Sequence, residues 1–177
     1  MKKTALLCIA AAGVVLCGYT NEPQGFMDDP WAYRINQWLK DNPGAKKVAD
    51  DAGFAWYAPE RRVSLGGIGV EARYGFWKDK LTEVKLSFQE SAAGRLKEYL
   101  FSRHGEVPDN GNLVYTWFGY TTEIHLNALD NHVRFVSHEL GQKAENRIKR
   151  GGASLDEDKD KKETGKGDKG KKKGKNK

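Results

Sequence analysis

Glu123, His125 and His138 are the residues of this chain whose types and spacing come nearest to chemistry. Two imidazoles and a carboxylate suit zinc or copper. If the segments that hold them pair as neighbouring strands, Glu123 lies opposite His138, with His125 two residues along on the same face. That spacing also arises on any solvated sheet face, and no cysteine or acidic cluster reinforces it. The expectation is therefore polar surface, with no metal and no other cofactor. Nucleophilic catalysis fares no better, because the chain has no G-x-S-x-G elbow and its two cysteines, Cys8 and Cys17, both lie near its start. Gly67-Ile68-Gly69-Val70-Glu71-Ala72 imitates a dinucleotide fingerprint, but the residues from Ile68 onward alternate as a strand where a helix is needed. It reads as a glycine-rich turn or bulge.

The elements that must position these residues follow from the period of the apolar positions. Asp29-Pro30 reads as a helix entry, with Trp31, Ile35, Trp38 and Leu39 on one face and a stop near Asn42-Pro43-Gly44. A shorter helix is expected from Ala45 to Ala52, ended by Gly53. Phe54 to Ala58 and Arg61 to Leu65 read as a pair of short strands around Pro59-Glu60. From Ile68 to Phe76 the even positions are apolar, and the parity returns at Val84, Leu86 and Phe88, predicting a hairpin with a long loop or a bulge. Ser91 to His104 reads as a helix that Gly105 stops.

The last third predicts a three-stranded meander. With tight turns at Gly119-Tyr120 and Asp130-Asn131, Leu113 faces Leu126, Tyr115 faces Ile124, and Leu126 faces Phe135. The other face then carries Thr116, Glu123, His125, Asn127, Arg134 and His138. A closing helix is expected over Gln142 to Arg150. The class is α+β, with an antiparallel sheet of about six to seven strands in two groups and helices mainly on one face. The expected order is helix, strands, helix, strands, helix.

Lys2 and Lys3 precede an apolar run from Ala5 to Cys17, shorter than the roughly 20 residues a membrane span needs. Residues 1–18 therefore read as a signal peptide, cut after Cys17 or Gly18, which places the mature chain in the periplasm or outside the cell. Lipoprotein anchoring at Cys17 is disfavoured, since Leu16 sits where a small residue is wanted. Both cysteines leave with the signal, so the mature chain is expected to be free of disulfides. Residues 19–150 read as one domain. Residues 151–177, rich in Lys, Gly and Asp with Leu155 as their one large apolar residue, read as a disordered tail.

The net charge of +6 belongs to Lys2, Lys3 and that tail; the domain between them balances its acids and bases. The expected role of the tail is a solubilising extension; the alternative is that Lys169, Lys171, Lys172, Lys173, Lys175 and Lys177 hold an anionic lipid surface or polymer. No aromatic residue is interleaved to stack on bases, so nucleic acid is not the expected partner. Trp77, Val114 and Phe118 fall on the sheet face opposite the predicted core, either as a partner surface or under a covering helix.

Tyr74 to Phe88, YGFWKDKLTEVKLSF, precedes a helix ending Phe101-Ser102-Arg103-His104-Gly105, with Pro108 beyond and then Tyr115-Thr116-Trp117-Phe118-Gly119. This stretch resembles a family of small exported bacterial proteins of unknown function that share a Y-G-F-[WY]-K-x-K hairpin pattern. The resemblance spans most of Phe26 to Leu140 and implies export and fold, with no catalytic residue to carry over. Together these readings predict an exported accessory or binding domain of the cell envelope that engages a protein partner. The alternatives are an envelope hydrolase, metal- or carboxylate-dependent, and a polyanion or membrane-surface binder acting through the tail.

Overall fold

The computed structural model describes residues 19–149. Residues 1–18, read as a signal peptide and holding Cys17, and the basic tail, with its six candidate lysines, lie outside the described residues. In chain order the elements are β1 (Gly25–Phe26), β2 (Asp29–Pro30), α1 (Ile35–Asp41), β3 (Lys46–Asp51), β4 (Phe54–Ala58) and β5 (Val63–Leu65). The long hairpin β6 (Ile68–Trp77) and β7 (Lys80–Ser87) follows, then a 3-10 turn at Glu90–Ala92 and α2 (Ala93–His104). The chain continues through β8 (Val114–Phe118), β9 (Thr122–Asn127) and β10 (His132–Ser137) to α3 (His138–Lys149). Among the described residues no helix is long and apolar enough to cross a membrane.

The fold is mixed α+β and its sheets are antiparallel. One eight-stranded sheet runs β3-β4-β6-β7-β10-β9-β8, and β5 pairs with the first half of β6 on the edge whose second half β4 occupies. A single sheet thus replaces the two groups read from the sequence, joined where β10 pairs with β7. The strict alternation of β6 explains its place at the centre. Ile68, Val70, Ala72, Tyr74 and Phe76 all point to the inner face, where they meet Trp38 of α1 and Leu96 and Leu100 of α2. The outer face has a smaller cluster of Phe54, Trp56, Trp77 and Ala144, the last from α3. Two helices cover one face and the third crosses the other.

Several local expectations are corrected. Asp29-Pro30 does not open a helix but pairs with Gly25 and Phe26, and α1 begins six residues later. The backbone before it is claimed by the sheet: Ala32 N–H donates to Leu81 O at 3.0 Å, Leu81 N–H to Tyr33 O at 2.9 Å, and Ile35 N–H to Asp79 O at 2.9 Å. Lys46 to Asp51 forms an edge strand, exposed along its whole length, in place of the second helix. Gly53 and Ala52 both have positive φ, which makes the two-residue turn of a hairpin and not a helix stop. Val48 is the extra residue of a bulge in that edge.

Lys78 and Asp79, at φ 48° and 61°, turn the β6–β7 hairpin in two residues, while the bulge lies deeper, at Thr82 opposite the Gly75–Phe76 step. In the meander Tyr115 pairs with Leu126, Trp117 with Ile124, and Val133 with Leu126. The last pairs before the turns, Phe118 with Glu123 and Asn127 with His132, each enclose four residues where two were expected, so both registers slip by two. An even slip leaves every side chain on its expected face. α3 starts at His138, four residues before its expected first residue.

Residues 19–24 form a strap across the β8–β9 turn. Tyr19 Oη donates to Thr122 O at 2.8 Å, and Thr20 N–H donates to His104 O at 3.0 Å. Glu22 Oε1 accepts from Thr121 N–H at 2.5 Å, Thr121 Oγ1 at 2.7 Å and Thr122 N–H at 3.0 Å. Thr122, fully buried, accepts from Trp31 Nε1 at 2.6 Å and donates to Pro23 O. Burial works against the charge of Glu22, but the hydrogen bonds from Thr121 and Thr122 and the nearby His138 outweigh it and hold the carboxyl below its ordinary value of 4.5. A depressed carboxyl contributes stability above its unfolded pKa and loses it as pH falls through the folded one. The thermal midpoint should accordingly fall on acidification below pH 4.5, and fall less steeply in Glu22→Gln. Parallel acid profiles for the two proteins would remove Glu22 from the acid response.

Candidate functional site

The outer face carries two arrangements, a polar network and an apolar groove. Alternation in β9 puts Glu123 and His125 on this face, and His138 stands beside them as the first residue of α3. The three residues do meet. His138 Nδ1 lies 2.6 Å from Glu123 Oε1, and His125 Nε2 lies 3.4 Å from Glu123 Oε2. One helical turn on, Gln142 Nε2 is 3.1 Å from His138 Nε2, while Thr116 Oγ1 is 3.5 Å from His125 Nδ1. The Glu123 carboxylate can only accept, so each imidazole nitrogen facing it is paired as a donor.

Among the described residues no group of three or more His, Cys, Asp or Glu has the geometry to hold a metal ion. Burial pushes the His125 pKa down and Arg134 adds to the effect, while Glu123 pulls the other way; the balance lies below the ordinary value. Glu123→Gln removes the opposing charge, so the His125 midpoint should move lower still in an NMR titration of its ring protons. An unchanged midpoint would show that the two groups do not couple.

Beside this network, Arg134 Nε donates to Glu83 Oε1 at 2.7 Å, and Lys85 Nζ lies 3.7 Å from the same oxygen. Glu83 is buried, and these two cations are its charge partners. The Phe118 ring stands edge-on to His125 with centroids 6.2 Å apart, and its side chain is 62% exposed. Val114 is half-buried on the same strand. Trp77 does not join them. Four strand steps, about 19 Å at the usual spacing, separate β6 from β8, and α3 leaves Trp77 only 8% exposed. The single partner surface of Trp77, Val114 and Phe118 therefore divides in two.

Trp77 belongs instead to a groove of about 720 Å³ at the end of the sheet. Its walls are the β3–β4 turn, the β6–β7 turn and the last turn of α3, which contributes Arg147 and Ile148. Phe54 and Trp77 supply an apolar floor, and Phe54 stacks on Trp56 at 5.6 Å. Trp56 in turn lies against Gly75, where a Cβ would come within 2.7 Å of its ring, and Lys85 Nζ sits 4.3 Å from the ring centre. Asp50, Asp51, Asp79, Lys78 and Arg147 form a charged rim. Sequence reasoning missed this site because it made a helix of the segment holding Asp50 and Asp51. The available signal was Ala52-Gly53, which forms a hairpin turn before the apolar alternation of Phe54 and Trp56. Compared with models of protein families, with curated proteins and with solved structures, the chain matches none.

Proposed function

We propose that this chain is an exported binding domain of the bacterial cell envelope whose groove over Phe54 and Trp77 receives an apolar side chain of a protein partner. The observation that carries the reading is the groove itself. Its volume lies within the range of roughly 300–1,000 Å³ typical of ligand sites, its floor is apolar and its polar groups converge from three segments. Export rests on the leading Lys2, Lys3 and the apolar run behind them. A cut after Gly18 would retain Tyr19, whose hydroxyl donates to Trp117 O and Thr122 O. A hydrolase gains no support from Glu123, whose two oxygens are already committed to His125 and His138.

Placing a photocrosslinking residue at Ile148, which is 44% exposed on the groove wall, tests the reading in cells that make the protein. A discrete adduct is expected from position 148 and none from position 98, which lies exposed on α2. N-terminal sequencing of the exported chain should begin at Gly18 or Tyr19. Equal labelling from both positions, or no adduct from position 148, would refute the groove as the partner site.

A further inference from the structure

At the opposite end of β6 a second cavity, of about 440 Å³, is lined by Arg62, Gly67, Gly69, Glu71, Ser87, Gln89, Ser91 and Arg95, with Ile68, Val70, Phe88 and Ala92 beneath. Its chemistry differs from that of the groove, since guanidinium, hydroxyl and amide groups face it. Among the described residues the exposed side chains of Arg62, Arg95 and Glu71 make no hydrogen bond, ion pair or ring contact with the protein. Two exposed planar donors, not engaged by the protein, border one concavity. Guanidinium groups are suited to hold the oxygens of a phosphate or carboxylate in pairs.

Gly69 is an independent observation pointing the same way. It sits inside β6, paired with Ser64, and its φ is not positive, so its backbone suits any residue. A Cβ built there meets nothing within 4 Å. Glycine in a strand interior costs stability, and no neighbour in this fold requires the missing side chain. Such a position is accounted for when something outside the chain must approach the backbone closely. Gly67 beside it is equally open, although its φ of 78° already explains the choice of glycine.

We propose that this cavity binds an acidic sugar, with Arg62 and Arg95 on its phosphate or carboxylate group, Glu71 accepting from its hydroxyls, and the ring lying against the bare backbone of Gly69. The volume exceeds that of a lone oxyanion and lies within the range of small-molecule sites. Glu71 argues against a bare anion, which it would repel, and for a ligand that also carries hydroxyl donors.

Calorimetric titration of the full-length protein tests the assignment, with glucose 6-phosphate, glucuronate, glucose and inorganic phosphate as probes. One-to-one binding of glucose 6-phosphate or glucuronate is expected, the tighter of the two identifying the acid group, with glucose and inorganic phosphate at least tenfold weaker. Arg62→Gln and Arg95→Gln should each lower the affinity at least tenfold. Gly69→Val should lower it as much while leaving the thermal midpoint unchanged or raised. The proposal is overturned if neither sugar acid binds more tightly than inorganic phosphate. It is equally overturned if binding survives all three substitutions, which would assign the heat to the tail lysines.

Discussion

A Trp38→Ala protein should unfold with about 3–5 kcal/mol less free energy than the parent, the usual cost of emptying a large aromatic site in a core. Trp38 is fully buried, and its ring centroid lies 4.7 Å from that of Tyr74, 5.3 Å from Phe76 and 6.3 Å from Tyr57. It joins α1 to the centre of the sheet. α1 spans only seven residues and has no side-chain cap, so it depends on tertiary contacts, of which Trp38 is the largest beside the buried Ile35. Trp38 Nε1 also donates to Asp29 Oδ2 at 3.2 Å. Burial already raises the Asp29 pKa, and losing this donor should raise it further. Denaturant titration gives the free energy. A loss below about 1 kcal/mol would mean that α1 packs far more loosely than these distances require.

Gly141→Leu should detach α3 while leaving the inner core intact. A Cβ at position 141 would come within 2.5 Å of Val136 Cγ1, a side chain that is buried and stiff at χ1. The helix must therefore lift. Leucine is a better helix former than glycine by roughly 0.8–1 kcal/mol, so α3 should stay helical and lose only its contact with the sheet. Overpacking usually costs about 1–3 kcal/mol, which leaves a net loss of roughly 0–2 kcal/mol. The larger effect is local. Ala144 should leave Phe54, Trp56 and Trp77, Ile148 should leave the groove wall, and tryptophan emission should shift to the red. Unchanged emission would show that α3 does not shield these rings.

The sequence disclosed the fold best where a strand has one buried and one solvated face. β6 alternates for this reason, and its face assignment follows directly. The meander shows how such a reading survives an error, because a two-residue slip in each turn changes every partner and no face. For the same reason Glu123, His125 and Arg134 lie on the face the sequence indicated. β3 offered no comparable pattern. All six of its residues are exposed, so no apolar period distinguishes strand from helix, and pairing with β4 decides the matter. The start of α1 was equally hidden, since hydrogen bonds to residues 79–81 override a good local entry signal. The groove is further from the sequence still. It is assembled from three segments that meet only once β3, the β6–β7 hairpin and α3 are in place.

The strap also has a consequence for the time at which this chain folds. Its bonds from Tyr19 and Glu22 to residues 117–122 each span about a hundred positions, so residues 19–24 find no seat until β9 exists. Contacts of such long separation form slowly, because the loop they close must be ordered first. The end of the domain nearest the leading apolar segment is therefore the last part to close.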